Sequence, residues 1–204
     1  MAAPFAVQLG DARLGLDAPP GFSDTGFTGS PRLQELAESL TSASNRILLF
    51  AISDSDLRRF MLGDTPEFRR YMIAVTPKGL ERERVSPAAF GAFVRDSLVA
   101  LGGSPAAGDL QKYLDAQAPG KTSLLAELRR DPDVVSVLQG TRVPGQRRSN
   151  EAPQYALSTN TLMLLRGKAL NLSVYTLYDN AADLDWVRVT TARWIDEIAR
   201  LNNR

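Results

Sequence analysis

Two carboxylates, Asp54 and Asp56, sit two positions apart in Ser53-Asp54-Ser55-Asp56, directly after an apolar run. Paired acids at the exit of a strand could coordinate Mg²⁺ or Ca²⁺, or share the work of general acid and base. Acids at a helix start also cap free amides and complement the helix dipole. An oxygen-ligand site needs more ligands than this spacing supplies, so capping is the reading kept. A second acidic stretch, Asp179-Asn180-Ala181-Ala182-Asp183-Leu184-Asp185, places Asp183 three residues after Asn180, the spacing of a capping box. A calcium loop would need a close-turn Gly and a terminal Glu in register, and this stretch has neither. Gly120-Lys121-Thr122 resembles the end of a phosphate loop, but Asp115 stands where its first Gly belongs, and a helix rather than a strand is expected before it. An ordinary helix N-terminus is the expectation there.

Between Arg58 and Arg84 seven cations (Arg58, Arg59, Arg69, Arg70, Lys78, Arg82, Arg84) face four acids (Asp64, Glu67, Glu81, Glu83). Adjacent arginines can fork onto carboxylate or phosphate, so Arg58, Arg59, Arg69 and Arg70 are candidate binding residues for an acidic partner surface. Solvated charges and weak surface pairs are the plainer account. Trp186 and Trp194 lie eight residues apart, so on a helix they point about 80° apart. Trp194 falls with the apolar stripe. Trp186 falls at its edge and is the candidate partner-facing anchor.

The 204-residue chain contains no His and no Cys, which removes Ser-His-Asp triads, thiol nucleophiles, zinc sites of the usual N/S kind and thiolate-held clusters. No cofactor and no metal are expected. Without His, no unperturbed side chain changes charge between pH 5 and 8, which disfavours a pH-sensing role. Twenty-four Lys and Arg against 23 Asp and Glu give a net charge of +1, without the basic surplus that nucleic-acid binding requires. No apolar run approaches the roughly 18 residues of a membrane span. The opening Met1-Ala2-Ala3-Pro4 lacks a charged and apolar leader pattern. A small-residue start leading into a strand is nevertheless how a mature exported protein looks once its signal peptide has been replaced by an initiator Met. The expectation is a periplasmic or exported protein, with the cytoplasm as the alternative.

Periodicity supplies the elements that must hold these residues. Phe5 to Leu16 alternates around Gly10-Asp11, a hairpin pattern. Pro19-Pro20-Gly21 breaks regular structure, Phe22 to Gly29 reads as a loop, and Ser30-Pro31 opens a helix with Ser as N-cap and Pro at its first turn. Asn45 to Ile52 and Arg69 to Thr76 are apolar without alternation, so both faces of each strand must be covered. A short helix spans Asp54 to Gly63 between them. Ser86-Pro87 starts a helix bearing Phe90, Phe93, Val94, Leu98 and Leu101, ended by Gly102-Gly103. A short helix follows around Leu110 to Leu114. Thr122 to Arg130 reads as a further helix stopped before Pro132. Val134 to Val143, Tyr155 to Leu165 and Ala169 to Tyr178 are strands, the last two joined by a three-residue loop Arg166-Gly167-Lys168. The connection 144–152 is expected to be exposed, and Ala181 to Leu201 is the longest helix. Residues 1–204 are expected to form a single domain of the α+β class, with a largely antiparallel or mixed central sheet and helices packed on both faces.

The strand pair leading into Pro19-Pro20-Gly21-Phe22, the strand Asn45 to Ile52, the Phe-bearing helix Pro87 to Leu101, and Lys168 to Tyr178 followed by Trp194-Ile195 resemble the PsbP and Mog fold. The resemblance implies an α/β/α sandwich whose members bind partners: PsbP proteins as accessory subunits at photosynthetic membranes, Mog proteins on a small GTPase. It carries over no functional residue, and the His-based metal sites of some PsbP proteins have no counterpart here. The sequence also looks like small exported proteins of Gram-negative bacteria. The expectation is a non-catalytic binding or accessory protein of the bacterial envelope with a protein partner. The alternatives are a carboxylate-dependent hydrolase or transferase using Asp54 and Asp56, and a small-ligand carrier.

Overall fold

The computed structural model describes residues 4–101, 108–144 and 153–203, with the side chains of 100 and 101 left aside. The expected Gly102-Gly103 stop, Leu101 as part of the helical stripe, and most of the 144–152 connection lie outside the described residues.

Strands β1 (Phe5–Leu9) and β2 (Ala12–Leu16) form a separate hairpin, and Gly10 supplies the positive φ of 54° that its turn requires. The remaining strands among the described residues make one seven-stranded sheet: β3 (Phe22–Asp24), β4 (Asn45–Ser53), β5 (Arg70–Pro77), β6 (Thr122–Asp131), β7 (Val134–Arg142), β8 (Tyr155–Leu165) and β9 (Lys168–Tyr178). Their spatial order is β3-β4-β5-β9-β8-β7-β6, and every pairing is antiparallel. The α+β expectation with a largely antiparallel sheet holds.

Alternation along each strand divides the core. Leu49, Ala51, Met72, Ala74, Leu172 and Val174 point to one face, where the β1-β2 hairpin and helix α5 (Ala181–Asn202) cover them with Leu14, Val187, Trp194 and Ile198. Phe50, Ile52, Ile73 and Val75 point to the other, under helices α1 (Pro31–Ser39) and α2 (Asp54–Met61) through Leu33, Ala37 and Leu57. Farther along that second face, α3 (Pro87–Leu101) seats Phe90 and Val94 against Val135. Both faces of β4 and β5 are therefore buried, as their unbroken apolar runs predict.

Thr122 to Arg130 is strand β6 and not a helix. Register shifts against β7, between Leu124 and Ala126 and between Glu127 and Arg129, let residues adjacent in sequence share a face. Leu125, Ala126 and Leu128 all pack on the main core as a result, which in sequence imitates a helical stripe. The phosphate-loop reading ends here too, because Thr122 opens a strand, and so does the helix N-terminus expected in its place. Phe22 to Gly29 is strand β3 and a single 3₁₀ turn rather than a plain loop, and Ser30 precedes α1 without a capping hydrogen bond from its side chain.

The β8-β9 loop contains two residues, not three. Arg166 (φ 49°) and Gly167 (φ 79°) make the turn, and Lys168 is the first residue of β9, 1% exposed. A positive φ at both central positions matches the twist of the flanking strands. At Gly140 an added Cβ would stand 2.8 Å from Leu125 Cδ1 and 3.0 Å from Leu114 Cδ2. The missing side chain is what lets helix α4 (Leu110–Asp115) close on β7.

Candidate binding surface

The candidate residues divide between two places. Arg69 and Arg70 sit where β5 begins, beside the end of β9, because the Arg70–Thr176 pairing starts that ladder. The first turn of α5 lies over the same end of the sheet. Arg69 pairs there with Asp179, and Arg70 Nη2 lies 2.9 Å from Asp183 Oδ1. The Arg70 guanidinium carbon stands 4.3 Å from the centroid of Trp186, and on the apolar side the Trp186 ring meets Phe22 at 5.9 Å. Phe22 (β3), Arg70 at the start of β5 with Arg69 just before it, and Trp186 (α5) thus converge. Arg58 and Arg59 are elsewhere, exposed on the last turn of α2 over the opposite face, with Arg59 Nη1 2.6 Å from Glu67 Oε1. Trp194 is core, 1% exposed, its indole N–H donating to Asp17 O at 2.8 Å.

Asp183 carries this arrangement. Asn180 and Asp183 form the expected capping box, Asp183 Oδ2 accepting from the amides of Asp179 (3.0 Å) and Asn180 (3.3 Å). Burial pushes the Asp183 carboxyl up, but those amides and Arg70 outweigh it and hold the group below its ordinary value. A charged, buried carboxylate with one oxygen committed to the helix and the other to Arg70 fixes the guanidinium plane over Trp186. The rotamer entropy of Arg70 is therefore lost on folding rather than on contact with a partner. Sequence reading missed Phe22, Asp179 and Asp183 as parts of this surface. The breaker Pro19-Pro20-Gly21 before Phe22 placed it in a loop, and capping geometry accounted for both acids without a role for arginine.

The acid pair near α2 is structural. Asp54 Oδ1 accepts from Ser23 Oγ at 2.7 Å, joining α2 to β3. Asp56 accepts from Ser53 Oγ at 2.9 Å and from the Glu67 amide at 2.8 Å, which ties the helix start to the segment entering β5. Among the described residues no three His, Cys, Asp or Glu converge as metal ligands. Under α3, an apolar hollow of about 200 Å³ lined by Val75, Phe90, Phe93 and Leu162 is smaller than the roughly 300 Å³ at which small-molecule pockets begin. No helix among the described residues is long and apolar enough to cross a membrane.

No family model matches the chain, and no curated protein matches it. Two solved structures are similar to it. The Saccharomyces cerevisiae Ran-binding protein Mog1p is 15% identical with a TM-score of 0.43, covering 98% of this chain and 95% of its own. A point mutant of protein Mog1 is 15% identical with a TM-score of 0.42, covering 98% and 94%. The likeness is one of chain path, an antiparallel sheet between helical layers, as the PsbP and Mog resemblance implies. One expectation is corrected: the similar structures, the first of them a yeast Ran-binding protein, give no support to a signal-bearing periplasmic or envelope protein.

Proposed function

We propose that this protein is a non-catalytic docking module whose contact surface is the end of the sheet where Phe22, Arg69, Arg70 and Trp186 meet. One observation carries the reading: a half-buried Trp stacked by an Arg that a capping carboxylate already holds in place. Trp and Arg dominate the binding energy of protein interfaces when they are rigid and clustered. The partner's matching patch is acidic at its edge, facing Arg69 and Arg70, and apolar or amide-rich at its centre, facing the indole.

A photo-crosslinking residue at position 69 tests this in cell extract, with position 35 on the exposed side of α1 as control. The expected result is one discrete adduct from position 69, absent from position 35 and lost when Trp186→Ala is added. The same adduct from both positions, or its survival with Trp186→Ala, rejects the surface.

A further inference from the structure

Strand β4 is paired by β5 from Asn45 to Ile52, but by β3 only at its far end. The β3 register covers Ser53, Ile52 and Ala51. The lane then ends abruptly: the Phe50 carbonyl accepts from Thr25 N at 2.7 Å and the Phe50 amide donates to Asp24 Oδ1 at 3.2 Å, after which the chain turns away through the 3₁₀ segment into α1. Phe50 therefore directs both main-chain groups to this side. A bulge at Leu48, between the Ile47–Val75 and Leu49–Ala74 pairs, shifts the alternation and brings the main chain of Ile47 to the same side. No described strand lies there.

What lies there is a slot of about 580 Å³, with Asn45 to Phe50 as one wall and Gln34, Ala37, Glu38 and Thr41 of α1 and its C-terminal exit as the other. Arg46 Nη1, reaching Gln8 O at 3.4 Å, ties the β1-β2 hairpin to the same edge. The Asn45 amide donates to Ser42 O at 2.9 Å and the Phe50 groups are taken, so the open edge runs over residues 46–49, roughly 14 Å at about 3.4 Å each, with room for about four residues of extended chain. Apart from Asp24, Thr25 and Lys78, the rest of the lining is small: Gly26, Gly29, Ser30, Ser42 and Ala43. Its charges balance, Asp24 and Glu38 against Arg46 and Lys78, and Arg46 is already paired with Glu81. A wall of small residues without net charge leaves the main chain of β4 as the feature available for recognition. An open edge that carries neither a proline nor a covering strand is a template for strand addition.

We propose that this slot receives an uncharged, extended segment of a partner protein, which adds to β4 in the lane that β3 vacates and is recognised through main-chain hydrogen bonds centred on Ile47. The slot is distinct from the Arg70–Trp186 surface, so failure of either proposal leaves the other standing.

The probe is a library of acetylated, amidated hexapeptides built from Thr, Val, Ser, Ile and Gln, screened against the ¹⁵N-labelled chain. The expected result is binders that shift the Ile47, Leu48 and Phe50 amides and slow hydrogen exchange at Ile47 on the order of tenfold or more. N-methylation of alternate peptide residues should weaken them on the order of tenfold, since it deletes main-chain donors. Gln34→Trp, at an exposed position that narrows the slot, should weaken them similarly while the protein melts as the parent does. Any of four results overturns the proposal: no binder in the library, binders indifferent to N-methylation, a footprint away from β4, or a slot filled by a second copy, seen as a concentration-dependent dimer that Gln34→Trp abolishes.

Discussion

Lys168 Nζ lies 3.0 Å from Asp11 Oδ1, although Lys168 is 1% exposed and the Asp11 side chain 70%. The same ammonium donates to Glu83 O at 2.9 Å, so one buried cation joins the β1-β2 turn, the segment before α3 and the first residue of β9. Gly10 makes room for it, since a Cβ there would stand 2.9 Å from Nζ. Lys168→Met keeps the aliphatic stem and removes the charged donor to the Glu83 carbonyl, and should destabilise by about 1.5–3 kcal/mol, the range for a hydrogen bond to a charged group. Asp11→Asn should cost visibly less, because the Glu83 bond survives. Urea unfolding midpoints for the two variants check the order, and equal losses would contradict it.

The acids of this fold give stability opposite dependences on pH. The Asp11 carboxyl is held below its ordinary value by its hydrogen bond from Lys168, then by its own amide and the charge of Lys168. A depressed folded value means a contribution present above the unfolded value near 3.8 and lost as pH falls through the folded one. Asp24 runs the other way. Burial raises it, and the amides of Gly26, Phe50 and Thr25 only partly offset that. Its folded form holds a proton to higher pH than its unfolded form, so its contribution falls as pH rises from about 3.8 through the raised value and stays reduced at neutrality. Asn at position 24 can still accept from the Phe50 amide. Asp24→Asn should therefore stabilise the protein at pH 7 relative to the parent, the gain vanishing below pH about 3.8, where the aspartate is protonated in both states. Melting temperatures of both proteins across pH 3 to 8 check this, and a gain that grows in acid would refute it.

At the β8-β9 turn the two central residues are not equivalent. Arg166 tolerates its positive φ because its guanidinium donates to Asn202 O at 2.8 Å and to Arg13 O at 3.0 Å. Gly167 has no such compensation, and a Cβ on it would meet Arg84 Cγ at 2.8 Å. Gly167→Ala should cost roughly 1–2 kcal/mol from the left-handed backbone, plus what the Arg84 side chain loses in moving aside. A larger, more abrupt loss accompanied by line broadening along β8 and β9 would mean that the turn also fixes register. Chemical denaturation with an HSQC spectrum separates the two outcomes.

How much of this could be read from sequence follows from how local each cause is. Ile47 to Ile52 and Tyr71 to Val75 were legible as central strands because burial on both faces writes itself as unbroken apolar sequence. Asn180 and Asp183 were legible as a cap because the motif closes within four residues. β6 was not: its bulges depend on pairing with β7, and Leu124-Leu125-Ala126-Glu127-Leu128 by itself has good helical propensity. Lys168 reads as part of the loop because Gly167 marks a turn there, while its partners Asp11 and Glu83 are distant in sequence. Of the candidate binding residues, Arg69, Arg70 and Trp186 share one end of the sheet while Arg58 and Arg59 lie over the other face. Charge density along the chain could not separate them, because the separation is made by which face α2 covers.

The Arg70–Trp186 contact can be measured without knowing a partner. Trp194 is 1% exposed, so only the half-buried Trp186 should be accessible to a collisional quencher. Its accessibility depends on the guanidinium lying over the ring. Arg70→Ala should uncover the indole, steepen acrylamide quenching and cost about 0.5–2 kcal/mol for the cation lost from the aromatic face, plus what the loss of its pair with Asp183 adds. Arg70→Lys keeps the charge for Asp183 but not the planar stack, so its quenching should resemble that of Arg70→Ala while its stability falls less. Trp186→Phe removes the responsive fluorophore and should leave a blue-shifted emission insensitive to the Arg70 substitutions. If quenching in Arg70→Lys instead matches the parent, charge alone holds the surface, and the stack is a consequence of the Asp183 pair and not a separate source of rigidity.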